Sequence, residues 1–206
     1  MKTKTINYIH FTTIESTNSW AKNNAQTLDH QSFTCITAEE QTKGHGINGR
    51  SWISPKDQNI YATLFFTIEP IFPHLKHLAQ LMSFSCLKLL NSLGYPAKMK
   101  YPNDVLVDGK KIAGILCETK VIEDVGLLGI ALGVGFNVNM AQEILDLIDQ
   151  PATSLAALSG KTWPLEQILN PLLLQFIENL EKLESGNHDE FWMHLSSQNL
   201  LDSVKR

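Results

Sequence analysis

Lys100-Tyr-Pro-Asn-Asp-Val-Leu-Val-Asp-Gly-Lys-Lys-Ile-Ala-Gly-Ile-Leu116 combines a polar turn, a hairpin and an isolated basic pair. Pro102 fixes its own φ and disfavours the α region at Tyr101, so the chain approaches a turn there in extended form. Val105 to Val107 then reads as a short strand, and Asp108-Gly109 is a strong hairpin signal. A second strand resumes through Lys111-Ile-Ala-Gly-Ile-Leu-Cys117. Lys111 falls at its mouth as an exposed charge, and Gly114 would let a ligand come close to the backbone. An ordinary hairpin with a solvated lysine pair at its tip explains this stretch equally well.

A second stretch, Gln41-Thr-Lys-Gly-His-Gly-Ile-Asn-Gly-Arg-Ser-Trp-Ile-Ser-Pro55, lies between predicted strands Phe33 to Glu39 and Asn59 to Ile68. Gly44, Gly46 and Gly49 allow backbone amides to wrap an anion, and Lys43 and Arg50 add charge. No Gly-Lys-Ser/Thr follows, which excludes a P-loop, and no helix opens after the glycines, which excludes a dinucleotide fingerprint. A mobile surface loop is the plain alternative, but such a loop has little use for Trp52 and Ile53. The two stretches together suggest a site for an anionic ligand with an apolar body.

In chain order, Glu15-Ser16-Thr17-Asn18, Gln41 to Trp52, Asn59-Ile60-Tyr61, Lys100 to Asp104, Lys111 to Leu116 and Gly133-Val134-Gly135-Phe136-Asn137-Val138-Asn139 resemble the motif series of the biotin protein ligases. Ala152-Thr153-Ser154-Leu155 extends the likeness to about Ser159. The resemblance implies an α+β fold, a mixed β-sheet backed by helices, shared with the class II aminoacyl-tRNA synthetase and lipoate ligase group. It also implies a two-step ligase that joins biotin to the α-phosphate of ATP and passes it from biotinyl-5'-adenylate to a lysine of a biotin carboxyl carrier domain.

By family match, Lys111 and then Arg50 supply positive charge to the carboxylate and phosphate, because both steps gather anions. Ser16, Thr17, Asn18 and Gln41 would meet the ureido end of biotin, with the qualification that one hydroxyl hardly serves as both helix cap and ligand contact. Trp52 would cover the tail, with Gly114 and Leu116 beneath it. Lys43, Gly44, His45, Gly46, Ile47 and Gly49 form the adenylate loop with Asn137, and Asn103 and Asp104 would face the incoming lysine. Mg²⁺ is expected on the triphosphate without a dedicated protein cage. The chain departs from the family where Gly-Arg-Gly-Arg is usual: it has Gly44-His45-Gly46-Ile47, a weaker phosphate clamp that Lys43 could partly restore.

Composition agrees with one catalytic domain over residues 1–206: 43% of residues are hydrophobic, and no linker, repeat or low-complexity segment interrupts the chain. A net charge of -4 without a basic run argues against a nucleic-acid partner. With no signal region or membrane-length apolar stretch, a cytoplasmic setting is expected. Neither an N-terminal helix-turn-helix nor the family's C-terminal SH3-like β-barrel is expected, and the sequence leaves the oligomeric state open. Cys35, Cys86 and Cys117 read as buried free thiols. His74 and His77 lack a third ligand, so no metal site is expected.

The remaining layout calls for a strand at Ile6 to Phe11 and a helix capped by Ser16 or Thr17 that runs towards Leu28. A longer helix from about His74 to Leu93 would stop at Gly94, followed by strands Ala97 to Lys100 and Val125 to Val134. Helices are expected over Ala141 to Ile148, Thr153 to Leu158 and Pro164 to Leu183, the last kinked or broken at Pro171. Leu165, Ile168, Leu169, Leu172 and Leu173 mark its core face. Two competing functions share this pattern: a lipoate or octanoate transferase of the same fold, and a non-catalytic binder of biotin or its adenylate.

Overall fold

The computed structural model describes residues 5–197. Its strands are β1 Ile6–Ile14, β2 Phe33–Gln41, β3 Ile60–Ile68, β4 Ala97–Lys100, β5 Asp104–Val107, β6 Lys110–Ile122 and β7 Leu127–Phe136. They form one sheet in the order β1-β2-β3-β7-β6-β5-β4. β1 and β2 are parallel and the other neighbours antiparallel, so the sheet is mixed as expected. The helices are α1 Thr17–Asn23, α2 Leu78–Ser92, α3 Gln142–Leu145, α4 Leu155–Ser159, α5 Glu166–Glu184 and α6 Asp189–Ser197.

Asp108 and Gly109 adopt φ of 50° and 77°, the left-handed pair that a two-residue hairpin needs, and they join β5 to β6. β6 continues past Cys117 to Ile122 because it pairs with β7 along that whole length. α1 stops at Asn23 instead of reaching Leu28. Asn24 turns its side-chain amide onto the Trp20 carbonyl, and this local bond competes with further helix. α2 starts at Leu78 behind a 3₁₀ turn, Leu75–His77, and the chain leaves it through Gly94 at φ 87°.

The helix expected over 141–148 shrinks to α3, and the following chain is drawn into an extended bridge between Ala152 and Lys111. α4 begins at Leu155 because Ser154 caps it, accepting from the Ala157 N–H. Pro171 does not break α5. It lies on the exposed side early in the helix while Ile168, Leu172 and Leu173 anchor the other side in the core. α6 has no counterpart in the sequence reading; Phe191 and Leu195 bury its inner face.

α2, α5 and α6 belong to the main core on one face of the sheet, while α1 packs on the opposite face over Ile36, Phe65 and Ala131. Strand alternation in β7 divides these faces. Ile130, Leu132, Val134 and Phe136 enter the main core, whereas Gly129, Ala131, Gly133 and Gly135 face the α1 side. That small-residue row leaves a trough beside α1.

Cys35 and Cys86 are buried, Cys117 is half-buried, and all three are free thiols. Burial pushes the Cys35 thiol up to about 12. Among the described residues, no group of three or more His, Cys, Asp or Glu side chains could hold a metal. No helix among them is long and apolar enough to cross a membrane. The chain ends on which the expectations about flanking modules rest, residues 1–4 and 198–206, lie outside the described residues.

Candidate active site

The trough holds a cavity of about 310 Å³ that runs from the start of α1 to Lys111. Its polar end is built from α1 and β2. Ser16 Oγ caps α1 by accepting from the Ser19 N–H at 3.4 Å. A hydroxyl that accepts in this way keeps its own proton to donate, so capping and ligand contact are compatible, contrary to the expectation. The Gln41 side-chain carbonyl accepts from the Thr17 N–H at 2.9 Å and contacts its hydroxyl at 3.2 Å, while Gln41 Nε2 donates to Ser54. Asn18 is committed differently. Its amide NH₂ meets Glu118, Leu116 O and Ala131 O, and its carbonyl accepts from Thr63. It supports the cavity wall with little left for a ligand.

Glycines make room for these groups. A Cβ on Gly133 would lie 2.4 Å from Asn18 Oδ1, and one on Gly135 would lie 2.3 Å from the Trp52 ring. Trp52 rests on this floor and on Gly114, beside Leu116 in the cavity lining. Its indole N–H is buried without an acceptor.

The loop itself is a narrow hairpin instead of an amide cradle. Trp52 N–H donates to Gly44 O, Gly46 N–H to Arg50 O, Gly49 N–H to Gly46 O and Arg50 N–H to Ile47 O. Four of the amides expected to receive an anion are thereby spent on the loop. Asn48 and Gly49, at φ of 57° and 71°, turn its tip. Gly44 is wedged: a Cβ there would stand 2.7 Å from both Ser54 Oγ and Trp52 O. Ile47, His45 and Arg50 line the cavity. Lys43 does not: Glu15 holds its ammonium at 2.5 Å on the outer surface.

At the other end, Lys111 Nζ lies 2.7 Å from Asp104 Oδ1 and 5.1 Å from the Trp52 ring centroid. The lysine side chain is only 14% exposed, so it is an enclosed charge and not the exposed one expected. Its backbone is fixed from the far side by Pro151 O and the Thr153 N–H. The turn between β4 and β5 passes through a cis Tyr101-Pro102 bond. Asn103 then locks onto β6, its Nδ2 donating to Ile115 O at 2.7 Å while its own carbonyl accepts from the Ile115 N–H. Asn103 and Asp104 therefore reach the cavity mouth, but Asn103's NH₂ and Asp104's carboxylate already have partners within the chain.

Arg50, Trp52 and Lys111 also border a second cavity of about 530 Å³, closed beyond by Asn137, Leu147 and Ile148. The Asn137 amide donates to Thr153 O, but its Oδ1 is a buried acceptor without a donor. Sequence reasoning missed Thr63, Glu118 and Gln150. Glu118 could have been found as the one carboxylate that closes the run Ile112-Ala-Gly-Ile-Leu-Cys117.

Two chambers thus meet at one enclosed lysine, and comparison with known proteins identifies the family. The signature of the Biotin/lipoate A/B protein ligase family matches residues 10–137. The chain belongs to that family. It is 31% identical to the bifunctional ligase/repressor BirA of Bacillus spizizenii over 69% of this chain and 44% of that protein. It is 34% identical to a biotin–acetyl-CoA-carboxylase ligase of Paracoccus denitrificans over 72% of this chain and 61% of that one. The biotin protein ligase of Aquifex aeolicus, solved with biotin and ATP, superposes with a TM-score of 0.74 at 31% identity, covering 90% of this chain and 75% of that one. The expected mixed-sheet α+β fold is therefore that of the biotin protein ligases.

Proposed function

We propose that this biotin protein ligase family member activates biotin with ATP and transfers it to a lysine on the biotin carboxyl carrier domain of a carboxylase. The observation that carries the reading is the first cavity: hydrogen-bonding groups at one end, a glycine-floored apolar corridor, and an enclosed cation at the other. Ser16, Thr17 and Gln41 suit a cyclic urea, whose polar atoms must not be buried unpaired. Trp52, Gly114 and Leu116 suit the aliphatic tail. The tail's carboxylate then arrives at Lys111, where the second cavity offers room for the nucleotide beside Asn137, Leu147 and Ile148.

In the first step a carboxylate oxygen attacks the α-phosphorus, the bond to the bridging oxygen breaks, and pyrophosphate leaves. Lys111 and Arg50 are suited to stabilise the negative charge gathered there. In the second step the carrier lysine, having lost a proton, attacks the acyl carbon and AMP departs. Asp104, the one carboxylate among the described residues lining the first cavity, is suited to orient it. Magnesium would neutralise charge on the triphosphate when bound. The unpartnered Asn137 Oδ1 fits a donor such as a cation's water. Such substrates imply a cytoplasmic setting.

A lipoate or octanoate transferase is the competing reading. Those acids are apolar at the end away from the carboxylate and would leave the Ser16, Thr17 and Gln41 end unsatisfied. The test is pyrophosphate release with biotin, lipoate or octanoate, with and without a carrier domain. Biotin-dependent release followed by carrier labelling is expected. Preference for lipoate or octanoate would overturn the reading, and biotin binding without release would leave a non-catalytic binder.

A further inference from the structure

Glu118 on β6 stands behind the cavity wall, yet three side chains meet at its carboxylate. Oε1 lies 2.5 Å from Lys22 Nζ, and Oε2 accepts from Asn18 Nδ2 at 2.9 Å. His45 Nε2, from the glycine loop, lies 3.8 Å from the same Oε2, beyond hydrogen-bond length but within ion-pair reach of a charged imidazole. An exposed ion pair would add little, but Asn18 is 3% exposed and this carboxylate is three-quarters covered.

The polarity of the site follows from that contact. With the Asn18 NH₂ held by Glu118 and the carbonyls of Leu116 and Ala131, Asn18 Oδ1 faces Thr63 and can only accept, so the Thr63 hydroxyl must donate to it. Thr63 Oγ1, 2.9 Å from Thr17 Oγ1, is left as one of two acceptors for the single Thr17 proton, the other being Gln41 Oε1 at 3.2 Å. Thr17 can then offer a lone pair to a ligand N–H. The network also has a mechanical side, because His45 lies between the wedged Gly44 and the turn of the loop.

We propose that Glu118 is a positioning residue for the ligand's urea end, orienting Asn18 and Thr17 from behind while tethering the glycine loop through His45. The proposal rests on the ligase reading above. It assigns Glu118 no contact with substrate: its effect is on how tightly biotin is held and on how firmly the loop is seated before any ligand arrives.

The test is Glu118→Gln, which keeps a carbonyl acceptor for Asn18 but removes the charge facing Lys22 and His45. Expected are a rise of about tenfold or more in the biotin KM with kcat within about twofold, and faster hydrogen exchange at amides 44–52 in the ligand-free protein. His45→Ala should shift the same two readouts, and the double variant should be no worse than the more affected single, since both act through one contact. An unchanged KM with unchanged exchange would overturn the proposal, as would a proportional fall in kcat and melting temperature with KM unmoved. The exchange arm uses no ligand. Should the wild type fail to turn over biotin, the ligase reading falls, while faster exchange in Glu118→Gln still upholds the tether and unchanged exchange removes it.

Discussion

Lys111 and Asp104 are 14% and 15% exposed, so each screens the other where water does little of that work. Lys111→Ala is expected to abolish adenylate formation and also to lower the melting temperature, because it leaves the Asp104 carboxylate enclosed and unpaired. Breaking a buried pair costs about 3–5 kcal/mol, and residual exposure puts this one towards the lower end. Pyrophosphate release and thermal unfolding check the two effects separately; adenylation within a few-fold of wild type would remove the assigned role. Ile47 lines the same cavity from the loop at 37% exposure, where the family pattern has an arginine. Ile47→Arg is expected to slow release of preformed biotinyl-adenylate by about ten- to hundredfold, the equivalent of one charge-assisted hydrogen bond of about 1.5–3 kcal/mol. Equal release from both proteins would mean that Arg50 and Lys111 already complete the clamp.

The glycine loop is already folded on itself, so ligands would tighten an existing hairpin. With saturating biotin and ATP, trypsin cleavage after Arg50 is expected to slow more than cleavage after Lys43, because Arg50 borders both cavities while Lys43 pairs with Glu15 outside them. Equal protection at both bonds, or none, would contradict this. The contrast shows what the sequence could tell. The Asp108-Gly109 turn was legible because a left-handed pair is encoded locally, and so was the core stripe of α5, which depends only on helical spacing. Lys111's enclosure was not, because a register shift at Val105/Leu106 and the distant Ala152 bridge decide it. Nor was the meeting of Asn18, Glu118 and His45, which come from three separated stretches and touch only once the sheet has closed. The end of α1 depended on one side-chain bond from Asn24.

Across the molecule, acid should act first at the helical face. His77 is pushed down to about 4 by burial and nearby positive charge, and burial also lowers His188 and His194. Their charged forms are disfavoured in the fold, so their contribution is fully present above the unfolded histidine pKa of about 6.5. It is lost as pH falls from there towards about 4. Lowered carboxylates such as Glu118 and Glu178 add losses only below the ordinary carboxylate range. Melting temperature should therefore drop between pH 6.5 and 4, and His77→Phe, which keeps a ring against Trp192, should shallow that drop. An identical pH profile would exclude His77 as the source. The sheet order has a kinetic counterpart. β5, β6 and β7 are joined by short turns and can pair soon after collapse, but β2 joins them in the sheet only through β3, whose partner β7 lies far along the chain, and α1 meets β6 and β7 across a comparably long separation. Long loops make that closure slow relative to the hairpins. During refolding, recovery of ligand binding should lag behind strand formation in the second half of the chain, so the site is among the last features of this molecule to come into being.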